Sequence, residues 1–467
     1  MNQYVFGIDD LDKFYGDVLH PGSMIVIAGH PGSGKTTLAS TICYANAVRG
    51  YRCLYISLQE TKEKLFRVMK RLRIDLEDVE LRGLLRFIKL PIVLDINGIE
   101  SISGVLLEYK PSIVIIDSIN ALLQSVKDDA KRAWLQNYFY EMSKSIDGIT
   151  ILIAEVPYGE EKIELGSVEF VSDAIFILKH QVVRGILNRI IEIRKARGAL
   201  ITLAEIPFSI SQNVGLEVWM PPLLEEILPQ EIELRLPCRL LEKLWGHLHK
   251  GHIVYIEHPA HARIADYTLL LLGILAVNNL RAVAVSYRYS PETVIDILGR
   301  TYTTFSTAPN RDAIEKFVRE NIVVKSYNPF AYGIYRLFSE ELALIRRTPT
   351  IDAIIFHGAE LPALVEPMST FIPILYNQLN AFRKQGLLVI RIASYINEEL
   401  HNIFSTISDV VLRFRLTKPI NGEYRYRLYV WRRGSNPHAI TYDEFQECLR
   451  EVCKTVESVV RSGETSS

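Results

Sequence analysis

The stretch MIVIAGHPGSGKTTLA, residues 24–39, decides the fold. Met24–Ala28 is an apolar run of strand length, and Thr36–Arg49 has the pattern of a helix. Between them, Gly29 to Thr36 fits GxxxxGK[ST], in the strand–turn–helix context that this motif needs. Glycines let the backbone take positive φ, so successive N–H groups can face inward and cradle a phosphate. The start of the following helix adds partial positive charge. The expected cradle is Gly29, His30, Pro31, Gly32, Ser33, Gly34, Lys35, Thr36 and Thr37. Lys35 is placed to reach the β- and γ-phosphates, and the Thr36 hydroxyl to ligate Mg²⁺. ATP with Mg²⁺ is the expected ligand.

Downstream, apolar runs alternate with helical patterns, the signature of a parallel sheet covered by helices. Strands are expected at Cys53–Leu58, Ile113–Ile116, Ile149–Ala154 and Ala174–Leu178, with a further one at the sheet edge over Arg189–Lys195. Lys62–Arg73 reads as a helix with a basic, solvated face. The run Ile113-Val-Ile-Ile-Asp117 ends a buried strand in a carboxylate, where open α/β sheets bind ligands, so Asp117 is the second Mg²⁺ candidate. Hydrolysis also needs a base or water-orienting group. The strand Leu54–Leu58 is followed by Gln59 and Glu60, of which Glu60 is the carboxylate.

The second half repeats the first in order. GHPGSGKT (29–36) is matched to EHPAHARI (257–264), and YRCLYISLQET (51–61) to LRAVAVSYRYS (280–290). PSIVIIDS (111–118) is matched to IDAIIFHG (351–358), and VSDAIFIL (171–178) to ISDVVLRF (407–414). RIIEIRKARG (189–198) is matched to RYRLYVWRRG (425–434). In this alignment Arg263 replaces Lys35, Ile264 replaces Thr36, His357 replaces Asp117, and Arg288-Tyr289 replaces Gln59-Glu60. The second copy is therefore expected to bind no nucleotide. His258, His261 and His357 have no carboxylate beside them to complete a metal site. The expected domains are residues 1–218, a linker at 219–232, a degenerate copy at 233–446, and a C-terminal helix and tail at 447–467.

The 467 residues carry 48% hydrophobic and 23% charged side chains and a net charge of −1, so no overall basic field draws the chain to nucleic acid or anionic lipid. The start lacks a basic segment followed by an apolar run, and the longest apolar stretch, Thr268–Val277, is too short to span a bilayer. The expected location is the cytoplasm. Five cysteines without a CxxC pair read as ordinary thiols of a reducing compartment. Between Arg413 and Arg433, basic residues interleave with Tyr424, Tyr426, Tyr429 and Trp431. That composition suits single-stranded nucleic acid, but period-2 alternation fits a half-buried strand better.

Over residues 1–210 the chain resembles the KaiC branch of the RecA-like ATPases, and in particular archaeal KaiC-like proteins. The resemblance is carried by FGIDDLDKFYGDVLHPGSMIVIAGHPGSGKTTLA (6–39), ISLQET (56–61), IVIIDSINALL (113–123), EFVSDAIFIL (169–178) and RIIEIRKARG with AEIPFSI (189–210). It implies tandem RecA-like parallel-sheet α/β domains, the second degenerate. It also implies a homo-oligomeric ring, usually a hexamer, with ATP between subunits. Lys195 and Arg197, in Lys-x-Arg-Gly, would then reach the neighbour's γ-phosphate. One departure is visible: the family commonly has two adjacent Glu where this chain has Gln59-Glu60. A glutamine can orient water but not take its proton. The partner protein is unknown, nucleic acid is a disfavoured partner, and a RecA-type DNA-handling motor or a slow nucleotide-gated scaffold are the rivals.

Overall fold

The computed structural model describes residues 4–91, 96–120, 129–157, 168–183, 185–218, 220–260, 266–306, 310–348, 350–417 and 426–464. It divides into two compact units, Met1–Met220 and Pro221–Ser467.

The strands of the first unit are β1 Met24–Gly29, β2 Cys53–Ser57, β3 Leu85–Lys89, β4 Ile113–Asp117, β5 Ile149–Glu155, β6 Ala174–Val183, β7 Ile186–Ala196, β8 Glu205–Ser211 and β9 Gly215–Val218. They form one sheet in the order β3-β2-β4-β5-β1-β6-β7-β8-β9. The strands from β3 to β6 pair in parallel, and β7 to β9 add on antiparallel. β1, β4 and β5 are Ile- and Val-rich, and with β2 they are buried on both faces, as a helix-covered parallel sheet requires. Helix Lys35–Val48 packs on the face that carries Ile25, Ile27 and Tyr55. β7 is not the sheet edge, as the sequence suggested. Two strands follow it, and Pro207, which reads as a break, sits within β8 opposite Ile190.

The second unit has β10 Glu233–Leu234, β11 Leu248–His249, β12 Ile253–His258, β13 Ala282–Ser286, β14 Ile322–Ser326, β15 Ala353–His357, β16 Leu388–Ser394, β17 Val410–Leu416, β18 Tyr426–Arg432 and β19 His438–Thr441. Its main sheet runs β14-β13-β15-β16-β12-β17-β18-β19, the order of the first sheet one strand shorter. The two units are thus tandem RecA-like α/β folds. Details repeat as well. Asp173 Oδ2 accepts from Met24 N at 2.9 Å, and Asp409 Oδ2 accepts from Ile253 N at 2.8 Å. Val156 N donates to Gly29 O, and Tyr395 N to His258 O.

These contacts make His258 the counterpart of Gly29, and they correct the sequence alignment by one residue. Pairing the two His-Pro dipeptides sets Gly29 against Glu257, which would flip every β12 side chain to the wrong face. In the structure Val254 and Ile256 face the helices as Ile25 and Ile27 do. Counting on from that register sets Ile264 and Ala265 against Lys35 and Thr36; residues 261–265, with His261 and Arg263, lie outside the described ones.

The apolar run 268–277 lies in the buried helix Tyr267–Val277, and no helix among the described residues is long and apolar enough to cross a membrane. The expectation of five ordinary thiols fails. Cys238, at the start of helix Arg239–Trp245, is disulfide-bonded to Cys448 in helix Tyr442–Glu464, with Cα atoms 5.4 Å apart. The two are 210 residues apart in sequence, so no local spacing signals the bond. Closing so long a loop restricts the unfolded chain, and Cys448→Ser is expected to cost about 2–5 kcal/mol. A urea midpoint unchanged by this substitution and by reductant would show that the bond carries no stability.

Candidate nucleotide site

The site is built at the C-terminal edge of the first sheet. β1 ends at Gly29, where a Cβ would come within 2.2 Å of the Leu178 carbonyl on β6, so only glycine fits. Gly34 caps helix Lys35–Val48 with φ 111°, left-handed backbone that glycine adopts without strain. Lys35 is buried, and its Nζ donates to the Gly29 and His30 carbonyls, both at 3.0 Å. Burial pushes its ammonium pKa down, while Glu155 and Asp117 push it back up. Thr36 Oγ1 donates to Asp117 Oδ2 at 2.9 Å, and Tyr55 OH donates to the same oxygen at 2.8 Å. Burial raises the Asp117 pKa, against the two hydrogen bonds and the Lys35 charge. The Ser33 hydroxyl is buried in the loop with no partner among the described residues. His30 Nδ1 lies 3.1 Å from the Val156 carbonyl. A glycine-bearing loop, a helix start, a cation and a Thr–Asp pair fit a nucleoside triphosphate with a divalent ion.

At the end of β2, the Ser57 hydroxyl accepts from Glu60 N and donates to Glu60 O. The Glu60 carboxylate pairs with Lys64 at 2.9 Å. Gln59 points elsewhere, and its Nε2 lies 3.4 Å from Glu155 Oε1. Glu155 ends β5 directly beside Gly29. Its backbone is clasped by the Asn120 amide, which accepts from Glu155 N at 2.6 Å and donates to Glu155 O at 3.1 Å. The sequence reading missed Glu155 and Tyr55. ILIAE shows the same strand-then-carboxylate pattern as IVIID, which is the available signal for Glu155; Tyr55 inside a buried strand reads only as core.

A cavity of about 480 Å³ opens from the loop, lined by Gly34, Thr36 and Thr37 and by apolar Leu65, Val68, Met69 and Ile210. Glu60 and Arg71 also border it.

Lys195 and Arg197 lie at the other end of the sheet. Lys195 pairs with Ile175, which is level with the start of β1. Ile175 pairs with Val26, so Gly29 is three residues further along, or about 10 Å at the rise of a strand. Lys195 Nζ donates to the Glu169 and Phe170 carbonyls at 3.0 and 2.9 Å. Arg197 donates to the Phe170 carbonyl at 3.0 Å and pairs with Asp173 at 3.5 Å. Burial, then Arg197, lowers the Lys195 pKa. The structure does not bring these two cations to Lys35 of the same chain. Beside them Phe170 and Leu200 are 79% and 84% exposed.

In the second unit, Asp117, Gln59 and Glu60 have His357, Arg288 and Tyr289 as counterparts, since Ser57 pairs with Asp117 as Ser286 pairs with His357. The basic and aromatic strip of 413–433 is largely spoken for. Arg413 pairs with Glu257 and Glu398, Arg415 with Glu398, and Arg433 with Asp409. Leu428 and Val430 are buried, as a half-buried strand requires. Lys418, Tyr424 and Arg425 lie outside the described residues. On the 62–73 segment, Lys62 pairs with Glu80, Lys64 with Glu60 and Lys70 with Glu77.

Comparison with known proteins agrees with this geometry. The family model described as "ATPase: KaiC" matches residues 5–222. The circadian clock oscillator protein KaiC of Thermostichus vulcanus is 30% identical over 199 residues, covering 41% of this chain and 38% of that protein. The KaiC of a Picosynechococcus is 29% identical over 196 residues, with the same coverages. The circadian clock protein KaiC2 of a Synechocystis is 30% identical over 201 residues, 41% of this chain and 35% of that protein. The chain therefore spans well under half the length of these relatives. Residues 5–222 are thus KaiC-like, a P-loop unit of the RecA superfamily, and a second unit of the same fold follows them.

Proposed function

We propose that the first unit binds ATP with Mg²⁺ and hydrolyses it in a ring of identical chains, and that the ring acts as a regulatory or signalling ATPase. The observation that carries this reading is the Thr36–Asp117 hydrogen bond beside Lys35 at the mouth of a glycine turn. Mg²⁺·ATP supplies the reactive phosphoryl group and a divalent charge upon it. The chain's residues orient and stabilise. Lys35 and the helix start hold the phosphates, Thr36 and Asp117 hold the ion, and the apolar wall of Leu65, Val68 and Met69 receives the nucleoside.

The placement of Lys195 and Arg197 supports a ring. They are too far from their own phosphate loop, and they sit beside exposed Phe170 and Leu200, the kind of apolar surface a second copy covers. We take the ring to be a hexamer, with these two cations completing the neighbour's site. A regulatory role is supported by the printed names of the relatives, clock proteins all.

Glu60 is the proposed base, with Gln59 orienting the water. Glu60→Gln is expected to slow steady-state hydrolysis by about 10²-fold while leaving ATP affinity within a few-fold. The Gln59–Glu155 contact favours a second arrangement, in which Glu155 holds Gln59 against the water. Normal turnover in Glu60→Gln, with loss in Glu155→Gln and Gln59→Ala, would transfer the role to that pair. A wild-type rate at background despite tight ATP binding would make the protein a nucleotide-gated scaffold.

A further inference from the structure

The second unit keeps a cavity at the position of the first unit's candidate nucleotide site, but the lining has changed character. It encloses about 500 Å³. Its floor is the sheet, at Ala284, Ile355 and Ile392, and its walls are helices Tyr267–Val277 and Pro291–Phe305, through Leu272, Val294 and Ile297.

The register explains the cavity. Ala284 stands on β13 where Tyr55 stands on β2, two residues before the serine that pairs with the end of the next strand. In the first unit the Tyr55 ring fills this space and its hydroxyl binds Asp117. In the second unit the ring has become a methyl, the aspartate has become His357, and no side chain among the described residues refills the void. A dry void lined by Leu, Ile and Val is a site for apolar matter rather than for water.

Among the described residues the mouth is polar but carries no net charge to offer. Arg288 is tied to Glu360, which is fully buried, and to Ser394 Oγ at 2.9 Å. Ser394 N donates to the other Glu360 oxygen at 3.0 Å. His357 Nδ1 lies 3.2 Å from Ser286 Oγ, and the ring stacks on Tyr289 with centroids 5.3 Å apart. His258 stacks on Tyr267 at 5.7 Å. Burial, aided by Arg288, holds the His357 pKa down to about 4, and burial also lowers that of His258, so both rings are neutral at pH 7. Such a mouth offers hydrogen bonds without a counter-charge, above an aliphatic interior.

We propose that the second unit binds an uncharged aliphatic amphiphile, its chain between the sheet and the two helices and its hydrogen-bonding head among Ser286, His357 and His258. This stands independently of the ATP reading.

The test is calorimetric titration of the full chain with 1-decanol and with decanoate at pH 7. One saturable 1-decanol site per chain is expected, with decanoate at least 10-fold weaker. Ala284→Phe restores a ring where the first unit has one, and should weaken 1-decanol at least 10-fold. Ile297→Trp plugs the cavity from a half-buried helix position and leaves the strand untouched, so it serves if the first variant fails to fold. ATP binding should be unchanged in both. No saturable site, an affinity indifferent to these substitutions, or decanoate binding as tightly as 1-decanol would overturn the proposal.

Discussion

Arg197→Ala is expected to bind ATP within a few-fold of wild type and to hydrolyse it at least about 10²-fold more slowly. Ground-state contacts come mainly from the phosphate loop, and Arg197 is not part of it. Its guanidinium rests on the Phe170 carbonyl and Asp173, at the far end of the sheet from Gly29. If it acts, it acts on a neighbour, where charge develops on the transferring phosphoryl group. Mixing then becomes informative. Arg197→Ala and Lys35→Ala subunits are each inactive alone, but some interfaces in a mixed ring pair an intact loop with an intact finger. Partial recovery of activity on mixing is therefore expected. ATP should also tighten assembly, because a ligand held by two subunits favours the assembled state. Light scattering that finds a monomer with and without ATP, together with no recovery on mixing, would remove the shared site. An active monomer would point to a finger acting within one chain.

Lys35→Ala is expected to lower ATP affinity by at least about 10²-fold without unfolding the protein. The ammonium is buried, burial disfavours its charge, and its hydrogen bonds are to two carbonyls of its own loop. Losing it removes a charge that folding must desolvate, so thermal stability should hold or rise. Binding instead loses the cation aimed at the β- and γ-phosphates. Near wild-type affinity in fluorescence titration would show that the loop does not hold the phosphates as described.

Much of this was legible in the sequence, for identifiable reasons. The phosphate loop and Asp117 are local patterns, each a strand followed by a chemically distinctive end. The duplication is legible because three of the five matched segments keep their register throughout in the structure, and RIIEIRKARG keeps it from Lys195 onward, past a bulge at Arg194. The fifth slipped by one residue because a His-Pro dipeptide recurs at the wrong position; only the backbone partners of Gly29 and His258 reveal this. Glu155 was hidden because its meaning depends on β5 lying next to β1, a neighbour relation the chain order does not state. Strand β8 was hidden by Pro207, and the Cys238–Cys448 bond by its sequence separation. The exchange of Tyr55 for Ala284 is visible in the aligned repeats, but a small residue in a strand shows no void until the helices above it are placed.

The central claim is one working nucleotide site per chain, in the first unit. Calorimetric titration of the full chain with Mg²⁺·ATP tests it most directly. One site per chain is predicted for the wild type and none for Lys35→Ala. Two sites in the wild type, or one that survives in Lys35→Ala, would contradict it.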